Sequence, residues 1–261
     1  MLEWILRGLS QGRITTRYPR REEPAPPGYR GRVGLLDATD ADPGLAALCP
    51  TGAIAVDGQR RLTLDRGRCI LCGACVEAAP DRFVFDARYQ TAARSRSALI
   101  VGGDDGGGGS LGPPRPTLGQ RAGALRRSIH VRHIDCGSDG AEEWEIQALW
   151  NPYYDIQRLG FFLTAAPRHA DVLLVTGAVT TAMRAPLERT WEVMPEPKAL
   201  VAVGTDACSG GLCDAGPLTA GGVDAVLPVD AYVPGSPPAP IAIMHGLLLA
   251  AGLLRPEEVA A

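Results

Sequence analysis

The sequence predicts an α/β domain built on a parallel sheet in its C-terminal half, preceded by a small α+β module rich in cysteine. Three observations carry this. Apolar runs at "SIHVRHID" (128–135), "DVLLVTGAV" (171–179), "ALVAVGT" (199–205) and "VDAVLPV" (223–229) alternate with helix-length segments. Near-continuous apolar strands in that alternation belong to a parallel sheet covered on both faces. Four of the seven cysteines crowd between positions 49 and 75. Between the halves, "VGGDDGGGGSLGPPRPTLG" (101–119) is too poor in apolar residues to fold and reads as a linker.

Taken in order, the chain divides into an extension (1–34), the cysteine module (35–86), a linker (87–127) and the α/β domain (128–255). The start, "MLEWILRGLSQG", is too short and acidic too early for a secretory signal. Its apolar Leu2, Trp4, Ile5, Leu6 and Leu9 suggest a short amphipathic helix, which reads as packing on protein, with a lipid surface as the alternative. Residues 13–34 are rich in Pro, Arg and Gly and should run extended; Arg20–Arg21 has no apolar stretch after it and is no twin-arginine signal. In the second half the candidate helices are 141–150, 179–194 and 239–253. Ligand loops of such a sheet gather at the carboxyl ends of its strands.

Composition excludes several classes. A net charge of −3 over 261 residues, with Lys198 the only lysine, gives no general pull toward nucleic acid. No apolar run approaches the roughly 20 residues of a spanning helix. Seven clustered cysteines are the wrong number and spacing for a disulfide framework, and suggest metal or redox chemistry.

Cys69, Cys72 and Cys75 have the spacing of an iron–sulfur loop, with Ala79–Pro80 where a Cys-Pro would close it. In two-cluster proteins the fourth cysteine of such a run ligates the other cluster. Cys49–Pro50 is that residue of an earlier run whose other places, Thr39, Asp42 and Leu45, hold no thiol. One site therefore keeps Cys49, Cys69, Cys72 and Cys75, and the other has lost all four places including Ala79. A structural zinc is the alternative for four thiolates; the closely spaced C-x2-C steps favour one [4Fe-4S] cluster. This module resembles bacterial-type ferredoxins.

Residues 128–254 resemble, segment by segment, the small iron–sulfur subunit family of membrane-bound (group 4) [NiFe] hydrogenases, formate hydrogenlyase included, and of the B-type subunit of respiratory complex I. The resemblance rests on "NPYYDIQRLGFFLTAAPRHADVLLVTGAVT", "MPEPKALVAVGTDACSGG" and "VDAVLPVDAYVPGSPPAPIAIMHGLL". It implies a flavodoxin-like domain holding a terminal [4Fe-4S] cluster against a large subunit with a nickel–iron site or quinone cavity. The family's four cluster cysteines fall on Asp139 and Glu142 of "DCGSDGAEEWEI", Asp206 of "GTDACSGG" and Ser236 of "VPGSPP". Hard oxygen ligands do not replace soft thiolates, so the terminal cluster is expected to be lost. Cys136, Cys208 and Cys213 read as buried small residues, with an atypical cluster built on them as the alternative. Asp139, Glu142 and Asp206 read as a solvated or partner-facing rim, with a hard-metal site as the alternative. His130 and His133, an odd number apart on a strand, should face opposite ways rather than share a metal. His169 reads as structural or at an interface, and His245 as a core or rim residue of the last helix.

The expected function is electron transfer within a membrane-associated hydrogenase-like or NADH–quinone oxidoreductase-like complex, as a subunit without substrate chemistry of its own. The expected partners are its large subunit and, indirectly, membrane subunits, on the cytoplasmic face of the inner membrane. The alternative is a scaffold or regulatory subunit that holds the large subunit and passes no electrons.

Overall fold

The computed structural model describes residues 2–102, 115–122, 128–213 and 215–254. It opens with helix α1 (Leu2–Gln11). The N-terminal module contains β1 (Arg32–Leu35), β2 (Ile54–Val56), β3 (Leu62–Asp65), α2 (Ala74–Ala78), β4 (Phe83–Asp86) and β5 (Ile100–Gly102). β1 pairs antiparallel with β4, and β2, β3 and β5 form a second antiparallel sheet. Their inner residues make a small core that includes Val33, Ile54, Leu62, Leu64, Cys75, Ala79 and Phe83.

After α3 (Leu118–Ala122) comes the larger domain: β6 (Ile129–Asp135), α4 (Ala141–Ala148), β7 (Phe161–Leu163), β8 (Val172–Thr176), α5 (Thr181–Val193), β9 (Ala199–Val203), α6 (Thr205–Ser209), β10 (Ala231–Val233) and α7 (Pro240–Ala251). The strands form one parallel sheet in the order β10-β9-β8-β6-β7. Strand alternation separates the two faces: Val172 and Leu174 pack with α4 and α7, while Leu173 and Val175 pack with Leu187 of α5 and Cys208 of α6. The predicted α/β sheet covered on both faces is present. α7 is buried along its whole length, as a helix apolar on every side must be. Lys198 is also buried; its Nζ donates to the carbonyls of Trp191 at 2.6 Å and Met194 at 3.2 Å, where a cation offsets the negative end of α5.

Three expectations change. "VDAVLPV" is not a strand: Val223–Ala225 is a 3-10 turn, and the edge strand is Ala231–Val233. Pro228 lacks the N–H a ladder needs, which is the physical reason. Second, part of the predicted linker is structured. β5 completes the sheet of the N-terminal module, and Ala93 bridges to Tyr232 on the edge strand of the larger domain; residues 103–114 of the glycine-rich stretch lie outside the described residues. Third, β7 was not foreseen; three residues are too few to show a period.

His245 lies 4% exposed on α7 with neither ring nitrogen hydrogen-bonded. Burial depresses its pKa to about 4. The unfolded ring titrates near 6.5, so between those values the unfolded chain binds more protons and stability falls as pH falls. The loss amounts to about 3 kcal/mol once pH has passed below the folded value. Thermal melts of His245→Leu are therefore expected to exceed wild type by a margin that widens from pH 8 to pH 5. A margin independent of pH would contradict this origin.

Candidate iron–sulfur centre and the strand-end site

Cys49, Cys69, Cys72 and Cys75 line one cavity with Val33, Ala53, Ile54 and Leu64 of the small core. Local sequence explains the shape of the loop. Leu71 at φ +57° and Gly73 at φ +90° are in the left-handed region. For a leucine this conformation is costly and persists only where the surroundings demand it. Such a turn aims successive backbone N–H groups inward, a concavity suited to anionic sulfur. Those of Leu71 and Val76 act on Cys69 and Cys75 respectively, and that of Ala53 donates to Cys49 Sγ at 3.2 Å. Arg30 braces the loop by donating to the carbonyls of Leu71 (3.2 Å) and Cys72 (3.1 Å) while lying over the Phe85 ring.

Burial pushes the Cys69 thiol up to about 11, and the other three cysteines add to the shift; burial also raises Cys75. Cys49, Cys72 and Cys75 thus stand close to Cys69, and deprotonating such a set calls for a strongly positive group among them. The donor set fits an iron–sulfur cluster: soft sulfur, inward N–H groups and an apolar wall. Among the described residues, no three His, Cys, Asp or Glu side chains converge so as to hold a single metal ion.

The four places read from the sequence as a second ferredoxin site, Thr39, Asp42, Leu45 and Ala79, have folding roles. Ala79 is 7% exposed in the small core. Asp42 caps a 3-10 helix through Gly44 N–H at 2.9 Å. The hydroxyl of Thr39 donates to Asp37 at 2.8 Å, and Leu45 packs on the small core.

Asp139, Glu142, Asp206 and Ser236 all follow carboxyl ends of the parallel strands, after β6, β9 and β10. Glu142 departs from the solvated rim expected of it: it is 3% exposed, and its Oε1 would lie 2.5 Å from a Cβ on Gly204, so only glycine fits there. Burial, with the charges of Asp139, Asp206 and Glu143 behind it, pushes the Glu142 carboxyl up to about 7. Burial and then Asp139 raise Asp206 as well. Cys136 and Cys208 are fully buried, as expected, and burial pushes each thiol up to about 12. Cys213 differs from expectation and is exposed. His130 and His133 face apart: the first lies 3.6 Å from Asp171, while the second bonds Thr176 at 3.0 Å.

The cysteine loop sits against these strand ends, an arrangement sequence reasoning missed. Thr205, next to Asp206, donates its hydroxyl to the Cys69 carbonyl at 3.0 Å. The same Oγ1 accepts from the N–H of Gly235, next to Ser236, at 3.3 Å. A narrow cavity between Cys69, Leu71 and Arg66 on one side and Pro234 and Gly235 on the other continues the contact. Arg96 clamps the junction, with Nη1 and Nη2 donating to Asp65 at 2.7 and 2.6 Å and Nε to the Cys208 carbonyl at 3.1 Å. Gly67 makes room for it, since a Cβ there would meet the guanidinium at 2.7 Å.

Comparison with known proteins agrees with both halves. The profile of the NADH ubiquinone oxidoreductase 20 Kd subunit family matches residues 139–250, and that of a 4Fe-4S single cluster domain matches 62–107. Formate hydrogenlyase subunit 7 of Escherichia coli is 44% identical over 50% of this chain and 51% of its own length. A probable membrane-bound hydrogenase subunit of Pyrococcus furiosus is 41% identical over 48% of this chain and 75% of its own. An NADH-quinone oxidoreductase subunit of Citrifermentans bemidjiense is 43% identical over 40% and 61%. The chain thus spans about half the length of the first of these relatives. No helix among the described residues is long and apolar enough to cross a membrane. The parallel sheet, the strand-end loops and these matches place the chain in the NADH ubiquinone oxidoreductase 20 Kd subunit family, with a 4Fe-4S single cluster domain joined ahead of the family domain.

Proposed function

We propose that this chain is an electron-transfer subunit of a membrane-associated complex of the hydrogenase or NADH–quinone oxidoreductase kind, with one [4Fe-4S] cluster on Cys49, Cys69, Cys72 and Cys75 and none at the strand ends. The observation that carries the reading is the seat of the cysteine loop. Its Cys69 carbonyl rests on Thr205, beside two of the four positions that have lost their thiols. The retained thiol set therefore stands next to the vacated place instead of a domain's width away, so the loss need not break an electron path.

When bound, the cluster supplies one-electron transfer. The chain's own residues give the thiolates, direct N–H groups at the sulfurs, and surround them with Val33, Ile54 and Leu64. Four thiols spread around a cavity suit a four-iron cluster, which takes one thiolate per iron, whereas zinc draws all four to one point. Asp139, Glu142 and Asp206 repel one another and offer no soft ligand.

On this reading residues 1–34 are an extension, 35–86 with β5 form the cluster module, and 128–254 face a large subunit that holds the substrate chemistry. Trp144, Leu212 and Leu218, exposed at 73, 65 and 79% near the strand ends, are the apolar surface such a partner would cover. The loss of all four terminal thiolates favours a second reading, a scaffold that holds the partner without passing electrons. Anaerobic reduction followed by electron paramagnetic resonance separates the two. Electron transfer predicts one cluster signal of about one spin per chain, reversible on reoxidation; a cluster that cannot be reduced within the assembled complex supports the scaffold.

A further inference from the structure

The N-terminal helix and the arginines behind it are not absorbed by the cluster or by the strand-end site. Ile5, Leu6 and Leu9, on one side of α1, are 60, 59 and 76% exposed, so the described residues leave the stripe uncovered. Ile14, just past the helix, is 59% exposed. Behind the helix a cleft of about 500 Å³ is lined by Arg13, Arg17, Arg20, Arg21 and Arg158. Among the described residues, no carboxylate forms an ion pair with Arg13, Arg17, Arg20 or Arg21.

Two acids beside the cleft are already engaged, and Asp155 offsets the charge of Arg158 only in part. Glu23 accepts from the Thr16 hydroxyl at 2.6 Å and the Arg17 N–H at 2.8 Å, and Glu22 accepts from Gln90 at 3.3 Å. Arg158 donates to the Tyr18 carbonyl at 2.5 Å, yet its Nε is buried without a partner. Burial, with Arg13 and Arg20 beside it, depresses its pKa, the mark of cations crowded without enough countercharge. In a chain of net charge −3 such a cluster is a local feature that calls for an anion.

An apolar stripe ending just before a cleft of unpaired arginines matches the layering of a lipid surface, with acyl chains below and phosphates above. We propose that α1 and this cleft form one docking surface for an anionic phospholipid bilayer. Ile5, Leu6 and Leu9 enter the headgroup boundary, and Arg13, Arg17, Arg20 and Arg21 meet lipid phosphates. The surface does not depend on the electron-transfer reading and would place this chain itself, and not only its partners, on the membrane.

The test is flotation of the full chain with phosphatidylcholine vesicles and with vesicles that also contain phosphatidylglycerol. Binding is expected to the anionic vesicles, to be weak on the neutral ones and to fall with salt. Replacing Arg17, Arg20 and Arg21 by Gln should weaken it by about fivefold per arginine. Leu6→Glu with Leu9→Glu should abolish it; both residues are exposed, and retained circular dichroism and iron content will show that the fold persists. Absence of binding to anionic vesicles overturns the proposal, as does binding that neither set of substitutions weakens. Tight binding of inorganic pyrophosphate without vesicle binding would assign the cleft to a soluble phosphate ligand instead. Flotation only in the presence of a membrane subunit would assign the stripe to a protein.

Discussion

Cys69→Ala is expected to remove all iron from the chain and to unfold its N-terminal module well below the melting temperature of the intact protein. The module's core is small, with Val33, Ile54, Leu62, Leu64 and Phe83 as its large buried side chains. A core of that size supplies only a few kcal/mol and needs a staple. Where a site forms only in the folded state, the free energy of binding is also free energy of folding. Cys69 joins both roles on the proposed reading: its thiol lines the cysteine cavity, and its carbonyl accepts from the Thr205 hydroxyl. Cys213→Ser, at an exposed position, and Cys136→Ala, in the core of the larger domain, should leave iron content unchanged. Iron per chain and the melting curve check all three. Loss of iron from Cys136→Ala would show that the atypical cysteines do ligate.

Arg96→Met is expected to cost about 1.5–3 kcal/mol, because it leaves the half-buried Asp65 carboxylate with only the Gly67 N–H as a donor at 2.9 Å. The pair is bidentate and shielded, with side chains 11 and 17% exposed. It also clamps the cluster module to the larger domain, through the bond to the Cys208 carbonyl. The substitution should therefore loosen the seat of the cysteine loop before it melts either core. Hydrogen exchange would show this as faster exchange at residues 66–71 and 204–206, with little change in β8. A stability loss below about 1 kcal/mol would place the pair among surface bridges of small effect.

Much of this was legible in the sequence, and the gaps have physical reasons. Apolar runs at 171–179 and 199–205 exposed the sheet because strands buried on both faces leave no alternation to misread. The "VDAVLPV" run misled because apolar composition alone cannot separate a strand from a buried loop, and Pro228 was the available warning. Cys69, Cys72 and Cys75 stood out by their spacing on one tight loop, and Cys49 by the proline after it; the structure brings all four to one cavity. The seat of that loop on Thr205 and Gly235 did not, because it joins residues 136 apart through a single hydroxyl. The burial of Glu142 was equally hidden: an acid in sequence reads as solvated until Gly204 is seen to make room for its carboxyl.

On the proposed reading one thiolate set survives and holds a cluster. Iron, acid-labile sulfide and zinc, measured per chain after anaerobic purification, test it most directly. About four iron and four sulfide, with no stoichiometric zinc, are expected. About eight of each would contradict the loss at Asp139, Glu142, Asp206 and Ser236, and zinc without sulfide would contradict electron transfer by this chain.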